Sequence, residues 1–413
     1  MNREWKIQRQ RITNISGYLR NRYYASHYED ICYFDMPNGI AGDYTESIGN
    51  WPEIIFNGTF CSRSLKGYCS PCFYSQFSFY NKEKGNSYNE MIRSQINYVI
   101  DHFDDIVLKR QNTVHDSNVP ISFVITPTGS FFDEREFPRE LRLEMLERLI
   151  TLQKRYERPF HMRVEAHCRD WNSLDFDSQD TITELKYLAD LHATILFGIE
   201  SFDNYVREVL YNKHLDISEI ETAYNTVRKF NLQMGSFIFA GLFSMNDKLT
   251  YSDVVESLRL AVSKNIAPVL MFQNVQQHTI TDFLFQKHQI SLIEPFTVMD
   301  IISKLGDICN MHDGCVDWLI ADPRGGPPVP QFNIFDCSKV TSKENSTKIY
   351  QMICDLRLTR DFNSFITSAE LLRMSDNYLE YLDFFKRGFN RDYLYQNTDQ
   401  LLGYIEEYLH ITQ

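Results

Sequence analysis

Three cysteines are the residues in this sequence best spaced to do chemistry. They stand in Cys61-Ser-Arg-Ser-Leu-Lys-Gly67-Tyr-Cys69-Ser-Pro-Cys72-Phe-Tyr74, a C-x7-C-x2-C pattern. Three thiolates can hold three irons of a [4Fe–4S] cube and leave the fourth iron open to a small ligand. Gly67 permits a bend before the close Cys69/Cys72 pair, and Arg63 and Lys66 bring positive charge to an anionic thiolate cluster. Two blander readings stand beside this one. A structural zinc site wants a fourth Cys or His in a second short-spaced pair, and Cys32, His167 and Cys168 form no such pair. Three simply buried, inert thiols are the other. A disulfide framework is disfavoured in a long chain whose start, Met1-Asn-Arg-Glu-Trp-Lys, has no apolar signal region.

The elements that must position these cysteines alternate along the chain. A short strand at 53–56 delivers the chain into the cysteine loop, and apolar residues at helical spacing follow over 87–103. Strands are expected at 119–125, 160–165, 193–200, 234–240 and 268–274, the last closing the series. Helices are expected between them, at 138–156, 181–191, 205–211, 218–230 and 251–264. Strand and helix in alternation mean βα units, a parallel sheet and right-handed crossovers, with chemistry at the carboxyl ends of the strands. The cysteine loop, Gly129-Ser130, Glu165, Glu200 and Gln273-Asn274 all fall at such ends. Singly, each has a structural reading: Gly129 could supply a positive φ, and Glu165 could pair with Arg163 or Arg169.

At 413 residues, 43% hydrophobic, the chain can bury one large core or two unequal ones. No apolar run reaches eighteen residues, so no membrane span is expected, and the cytoplasm is the expected location for nine reduced cysteines. A formal charge of −13 argues against sequence-independent capture of nucleic acid. Residues 1–50 read as a basic helical lead-in, 51–293 as the α/β unit, and 294–413 as a mainly helical extension. Helices are expected there at 298–312, 346–357, 368–385 and 399–409. Ala321-Asp-Pro-Arg-Gly-Gly-Pro-Pro-Val-Pro330 is a rigid connector or a lid over the substrate mouth.

Over residues 50–360 the chain resembles the radical SAM superfamily, and within it the branch of the archaeosine-forming enzymes and the Elongator catalytic subunit. Besides the cysteine loop, the likeness rests on Gly129-Ser130-Phe-Phe-Asp133-Glu-Arg-Glu136-Phe-Pro138, Val164-Glu165, Gly198-Ile-Glu200-Ser201-Phe-Asp203-Asn-Tyr-Val-Arg207-Glu208, Tyr211-Asn212-Lys213 and Asn274-Val-Gln-Gln-His-Thr279, in that order. The resemblance implies an incomplete TIM-like (β/α) barrel. It further implies that Cys61, Cys69 and Cys72 ligate a [4Fe–4S] cluster and that S-adenosyl-L-methionine binds its open iron. A 5′-deoxyadenosyl radical then takes a hydrogen atom from substrate. By the same likeness Tyr74 would pack near the adenine, Gly129 and Ser130 would meet the methionine amino group, and Glu165 the ribose hydroxyls. Arg207 would take the methionine carboxylate, Glu200 would orient Arg207 or bind the cofactor, and Asn274 would join the cofactor site. An electron donor of flavodoxin or ferredoxin kind is implied as a partner.

Departures fall on the active-site face. Pro71 replaces the aromatic before the third cysteine, Ala166-His167-Cys168 follows Glu165, and His214 stands where Gly often follows Asn-Lys. They favour a small-molecule or nucleotide substrate over tRNA, the substrate of the related modification enzymes. Cys168 reads as an ordinary buried cysteine. A non-catalytic protein stabilised by iron–sulfur or zinc is the alternative of another class.

Overall fold

The structure, a computed structural model, describes residues 1–27, 51–56, 61–72, 88–110, 120–127, 129–312, 317–321, 332–386 and 391–411. Tyr74, Cys32, Cys315 and the Pro-rich stretch 322–330 lie outside the described residues.

Strands β1 (Glu53–Phe56), β2 (Ile121–Pro127), β3 (Phe160–Ala166), β4 (Thr194–Glu200), β5 (Gln233–Ala240) and β6 (Ala267–Phe272) follow one another across one parallel sheet in chain order. After β7 (Asn274–Val275) the chain returns to that sheet as β8 (Leu319–Ile320), parallel to β6. β7 pairs antiparallel with β9 (Phe332–Asn333) outside it. The series therefore does not close at residue 274, as the sequence pattern suggests. β8 is two residues long, too short to show a period, and is held by the register of Val269 opposite Leu319.

Helices α1 (Arg3–His27), α2 (Tyr88–Asp101), α3 (Arg139–Tyr156), α4 (Gln179–Asp190), α5 (Ile217–Lys229) and α6 (Asp247–Ser263) precede or alternate with the strands. Local chemistry sets their starts. Ser178 accepts from Thr181 N–H, Asn246 from Leu249 N–H, and Asp216 forms a reciprocal capping box with Glu219. The segment expected as a helix at 205–211 is a single π-helical turn, Val206–Leu210. The C-terminal third is helical as expected, with α7 (Pro295–Met311), α8 (Lys343–Thr359), α9 (Phe362–Arg373), α10 (Asp376–Lys386) and α11 (Arg391–Leu409). The helix expected at 368–385 is two helices, broken where Ser375 bonds back to Leu372 O.

Both faces of the sheet are buried, as apolar parallel strands require. Outward residues such as Phe123, Ile125, Val164 and Phe197 pack with Leu146, Leu149, Leu185 and Leu188 of the helices. Inward residues Val124, Leu196, Val269 and Leu319 form a separate cluster with Trp51, Phe237 and Met271. A sheet with a filled inner face and helices outside is an incomplete TIM-like (β/α) barrel. Towards the carboxyl ends the inner face opens. Ile55, Glu165, Gly198, Glu200, Phe239 and Met271 are all partly exposed there. α1 and α11 close the side of the molecule together: Arg11 pairs with Asp399 (2.9 Å) and Glu406 (2.8 Å), over Ile12, Ile15, Leu401 and Leu402.

Candidate active site

The cysteine loop is shaped by its backbone. Residues Ser64–Lys66 make one 3-10 turn, and Gly67 ends it at φ +75°, so the expected bend is present. A Cβ on Gly67 would lie 2.2 Å from Thr13 O of α1, which makes glycine necessary for close approach as well as for the turn. Cys69 also has a left-handed backbone, φ 56°. The loop's amides are spent on protein: Cys69 N–H donates to Asn212 O (3.1 Å), Ser70 N–H to Tyr211 O (3.0 Å) and Cys72 N–H to Cys69 O (3.0 Å). Asn212 Nδ2 returns a bond to Gly67 O at 2.9 Å, and His214, itself at φ 50°, stacks on Tyr68 with ring centroids 3.7 Å apart. The Tyr211-Asn212-Lys213 segment thus braces the cysteine loop.

Cys61, Cys69 and Cys72 are partly exposed thiols. Burial pushes the Cys61 thiol up to about 12, helped by the nearby Glu136 carboxylate and by Cys69 and Cys72, so the three share one electrostatic neighbourhood. Among the described residues no three His, Cys, Asp or Glu converge on a point that would hold a single metal ion. A cube makes a different demand, because each of its thiolate ligands binds a different iron.

Cations face the thiols. Lys213 Nζ lies 2.8 Å from Glu200 Oε1. Burial opposes its charge, but the Cys69 thiol and the Glu200 carboxylate outweigh that and hold its pKa above the usual value. Glu200 follows a bulge in β4 and has φ 67°, a strained conformation for a non-glycine residue. Arg63 of the loop pairs with Asp170 at 2.7 Å.

The turn after β2 holds a carboxylate, Glu136, that belongs to the motif at 129–138 but to which the resemblance gave no role. Glu136 Oε2 accepts from Ser130 N–H (2.6 Å) and Oε1 from Ser62 N–H (2.8 Å), joining this turn to the cysteine loop. Gly129 has no positive φ among the left-handed residues; its missing Cβ leaves the space Glu136 fills, 1.8 Å from where that atom would sit. Burial raises the Glu136 carboxyl to about 7. Ser130 is fully buried, and its Oγ accepts from His167 N–H at 3.1 Å.

Glu165 pairs with neither Arg163, which bonds Asp317, nor Arg169, which bonds Glu219. It faces the open lumen beside Thr126 and Glu53; burial first, then the Glu53 charge, raises its pKa well above the usual range. Thr126 Oγ1 donates to Glu53 Oε1 at 2.8 Å, and burial lifts Glu53 to about 7. His167 caps the short helix Cys168–Asn172 through Nδ1, which accepts from Arg169 N–H. Burial and the nearby Arg63 and Lys213 keep its ring neutral, and Nε2 has no hydrogen-bond partner. Cys168 lies fully buried in the main core.

Arg207 is fully buried. Its Nε donates to Leu215 O (2.8 Å), Nη1 to Ser201 O (3.1 Å) and Nη2 to Asn204 Oδ1 (2.5 Å), so all three nitrogens already hold the turn after β4. Asn274 opens β7, two residues beyond the end of β6, half-buried and paired with Asn333 of β9. The structure therefore gathers the cysteine loop, Gly129-Ser130, Glu165 and Glu200 at one mouth, and sets Arg207 beneath it. Strand alternation could have flagged Glu53 and Thr126 as inward residues; Glu136 lies in a quoted motif, but its bond to the distant Ser62 has no local signal.

No protein-family model matches the chain. Uncharacterized protein MJ0550 of Methanocaldococcus jannaschii is 23% identical over 347 residues, 84% of this chain and 86% of that one. Among solved structures, an N-terminally truncated Elp3 of Methanocaldococcus infernus is similar with a TM-score of 0.44 and 11% identity, over 66% of this chain and 62% of that one. The chain thus spans less than two thirds of that structure's length. A structure of anSMEcpe with bound AdoMet has a TM-score of 0.38 and 11% identity, over 84% of this chain and 97% of that one.

Proposed function

We propose that the chain is a radical SAM enzyme acting on a small-molecule or nucleotide substrate. The observation that carries this is the C-x7-C-x2-C loop, set at the carboxyl mouth of an incomplete barrel with Lys213 against its thiols. The residues fit a cluster. The amides of Cys69, Ser70 and Cys72 are already donated to protein carbonyls, so what the loop offers the mouth is a set of soft sulfur ligands with a cation beside them. Cys61, Cys69 and Cys72 would hold the [4Fe–4S] cluster, with S-adenosyl-L-methionine beside it. When bound, the pair would supply a 5′-deoxyadenosyl radical able to take a hydrogen atom from the substrate.

The chain's own residues bind and orient. Glu165 presents a carboxyl group to the lumen, suited to hydroxyl partners, and Glu200 a carboxylate already paired with Lys213. Gly129 and Ser130 shape the turn that carries Glu136. Asn274 and Tyr74 would join the cofactor site, as the sequence resemblance implies. Arg207 stiffens the segment that bears Glu200 and Lys213. Ile55, Phe239 and Met271 line the mouth with apolar surface that excludes water.

A tRNA substrate is disfavoured because arginines of the basic lead-in helix are turned to internal use. Arg9 pairs with Glu208, Arg11 with Asp399 and Glu406, and Arg20 bonds loop carbonyls. They are not offered as a track for a phosphate backbone. A cytoplasmic setting and a flavodoxin- or ferredoxin-like electron donor belong to this reading. Metal analysis after anaerobic reconstitution tests it: about four irons per chain are expected, and stoichiometric zinc with no iron uptake overturns it.

A further inference from the structure

Helix α1 precedes the barrel and carries no recognised motif, yet one of its side chains is the most heavily engaged group at the cysteine loop. Arg20 is 1% exposed. Its Nη1 donates to Ser64 O (2.9 Å) and Tyr68 O (2.8 Å), and its Nη2 to Cys69 O (2.7 Å) and Cys72 O (2.8 Å). One planar guanidinium therefore spans the loop from residue 64 to residue 72 and ends on the carbonyls of two of the three cysteines. The rigid fork of an arginine can hold four such acceptors at once; the ammonium of a lysine, with three donors on a flexible stem, cannot. The close approach of α1 at Gly67, 2.2 Å from Thr13 O to an added Cβ, seats the helix backbone directly against the loop that Arg20 spans.

We propose that Arg20 is a positioning residue with two effects. It holds the curvature that presents Cys69 and Cys72 together, and its buried positive charge raises the reduction potential of the cluster bound there. The second effect follows from electrostatics: the reduced cluster carries one more negative charge, and a nearby buried cation favours it. The inference rests on the radical SAM reading for the cluster itself.

The test is a redox titration of the reconstituted full chain, followed by electron paramagnetic resonance, on wild type, Arg20→Gln, Arg20→Lys and Arg11→Gln. Arg20→Gln removes the charge and should raise the oxidised-to-reduced ratio at a fixed potential by about tenfold or more, equivalent to about 59 mV for one electron. Arg20→Lys keeps the charge and should stay within about threefold of wild type, about 28 mV on the same scale, while losing iron to a chelator faster. Arg11→Gln loosens α1 from α11 without touching the loop and should leave the potential unchanged. Arg20→Gln with iron bound and a wild-type potential overturns the proposal, as does an equal shift in Arg11→Gln. Should Arg20→Gln fail to fold, Arg20→Lys decides: a potential near wild type with faster iron loss supports the proposal, and a tenfold shift overturns it. Failure of the wild-type chain itself to take up iron would instead sink the radical SAM reading, a result distinct from either.

Discussion

The Lys213 ammonium lies 2.8 Å from a Glu200 carboxylate oxygen and inside the electrostatic field of the Cys69 and Cys72 thiols. The pair is nearly closed off from solvent, at 10% and 15% side-chain exposure. Removing one member leaves the other charged and uncompensated. Lys213→Met should cost about 3 kcal/mol in urea unfolding, and adding Glu200→Gln should recover more than half of it. Additive losses in the double variant would show that the two groups do not act as a pair.

Acid–base behaviour of the fold should report Glu53. Burial raises its carboxyl from 4.5 to about 7, so the folded chain keeps a proton that the unfolded chain has already lost. Stability from this group is therefore full below about pH 4.5 and declines as pH climbs to about 7, by about 3 kcal/mol. Glu53→Gln should flatten that part of the stability–pH curve. An unaltered slope would place the raised pKa elsewhere.

Gly129→Ala tests the link between the β2 turn and the cysteine loop. Its Cβ would displace the Glu136 carboxylate and leave the Ser62 and Ser130 amides without their acceptor. A loss of about 1–3 kcal/mol is expected, with faster release of iron to a chelator. A variant as stable and as iron-retentive as wild type would remove Glu136 from the account.

Arg207 separates support from contact. Arg207→Lys keeps the charge but cannot reproduce the bonds to Leu215 O, Ser201 O and Asn204 Oδ1. It should lose about 2–4 kcal/mol of stability, while calorimetry of the folded fraction shows S-adenosyl-L-methionine affinity changed by less than about tenfold. Unchanged stability with a hundredfold affinity loss would assign Arg207 a direct contact with the methionine carboxylate.

Much of the barrel was legible in the sequence, because strands buried on both faces must be short apolar runs, and those at 121–127, 160–166 and 233–240 are punctuated by turns. Glu165 and Glu200 could be placed at the mouth from position alone, at the carboxyl ends of their strands. What stayed hidden depends on distant partners. Arg20 meets residues 44 to 52 positions away, and Glu136 meets Ser62 across 74. Neither leaves a periodic trace. Arg207 sits in a motif-like segment, but its burial beneath the mouth comes from the π-helical turn, which helical spacing does not foretell.

The central claim is that Cys61, Cys69 and Cys72 hold a cluster that makes S-adenosyl-L-methionine a radical source. The most direct measurement is chromatographic detection of 5′-deoxyadenosine after anaerobic incubation of the iron-loaded chain with S-adenosyl-L-methionine and a strong reductant. The account predicts its release by wild type and none from Cys69→Ala, which lacks one of the three thiolates the site needs. Release undiminished in Cys69→Ala, or none from a wild-type chain carrying its full iron, would contradict it.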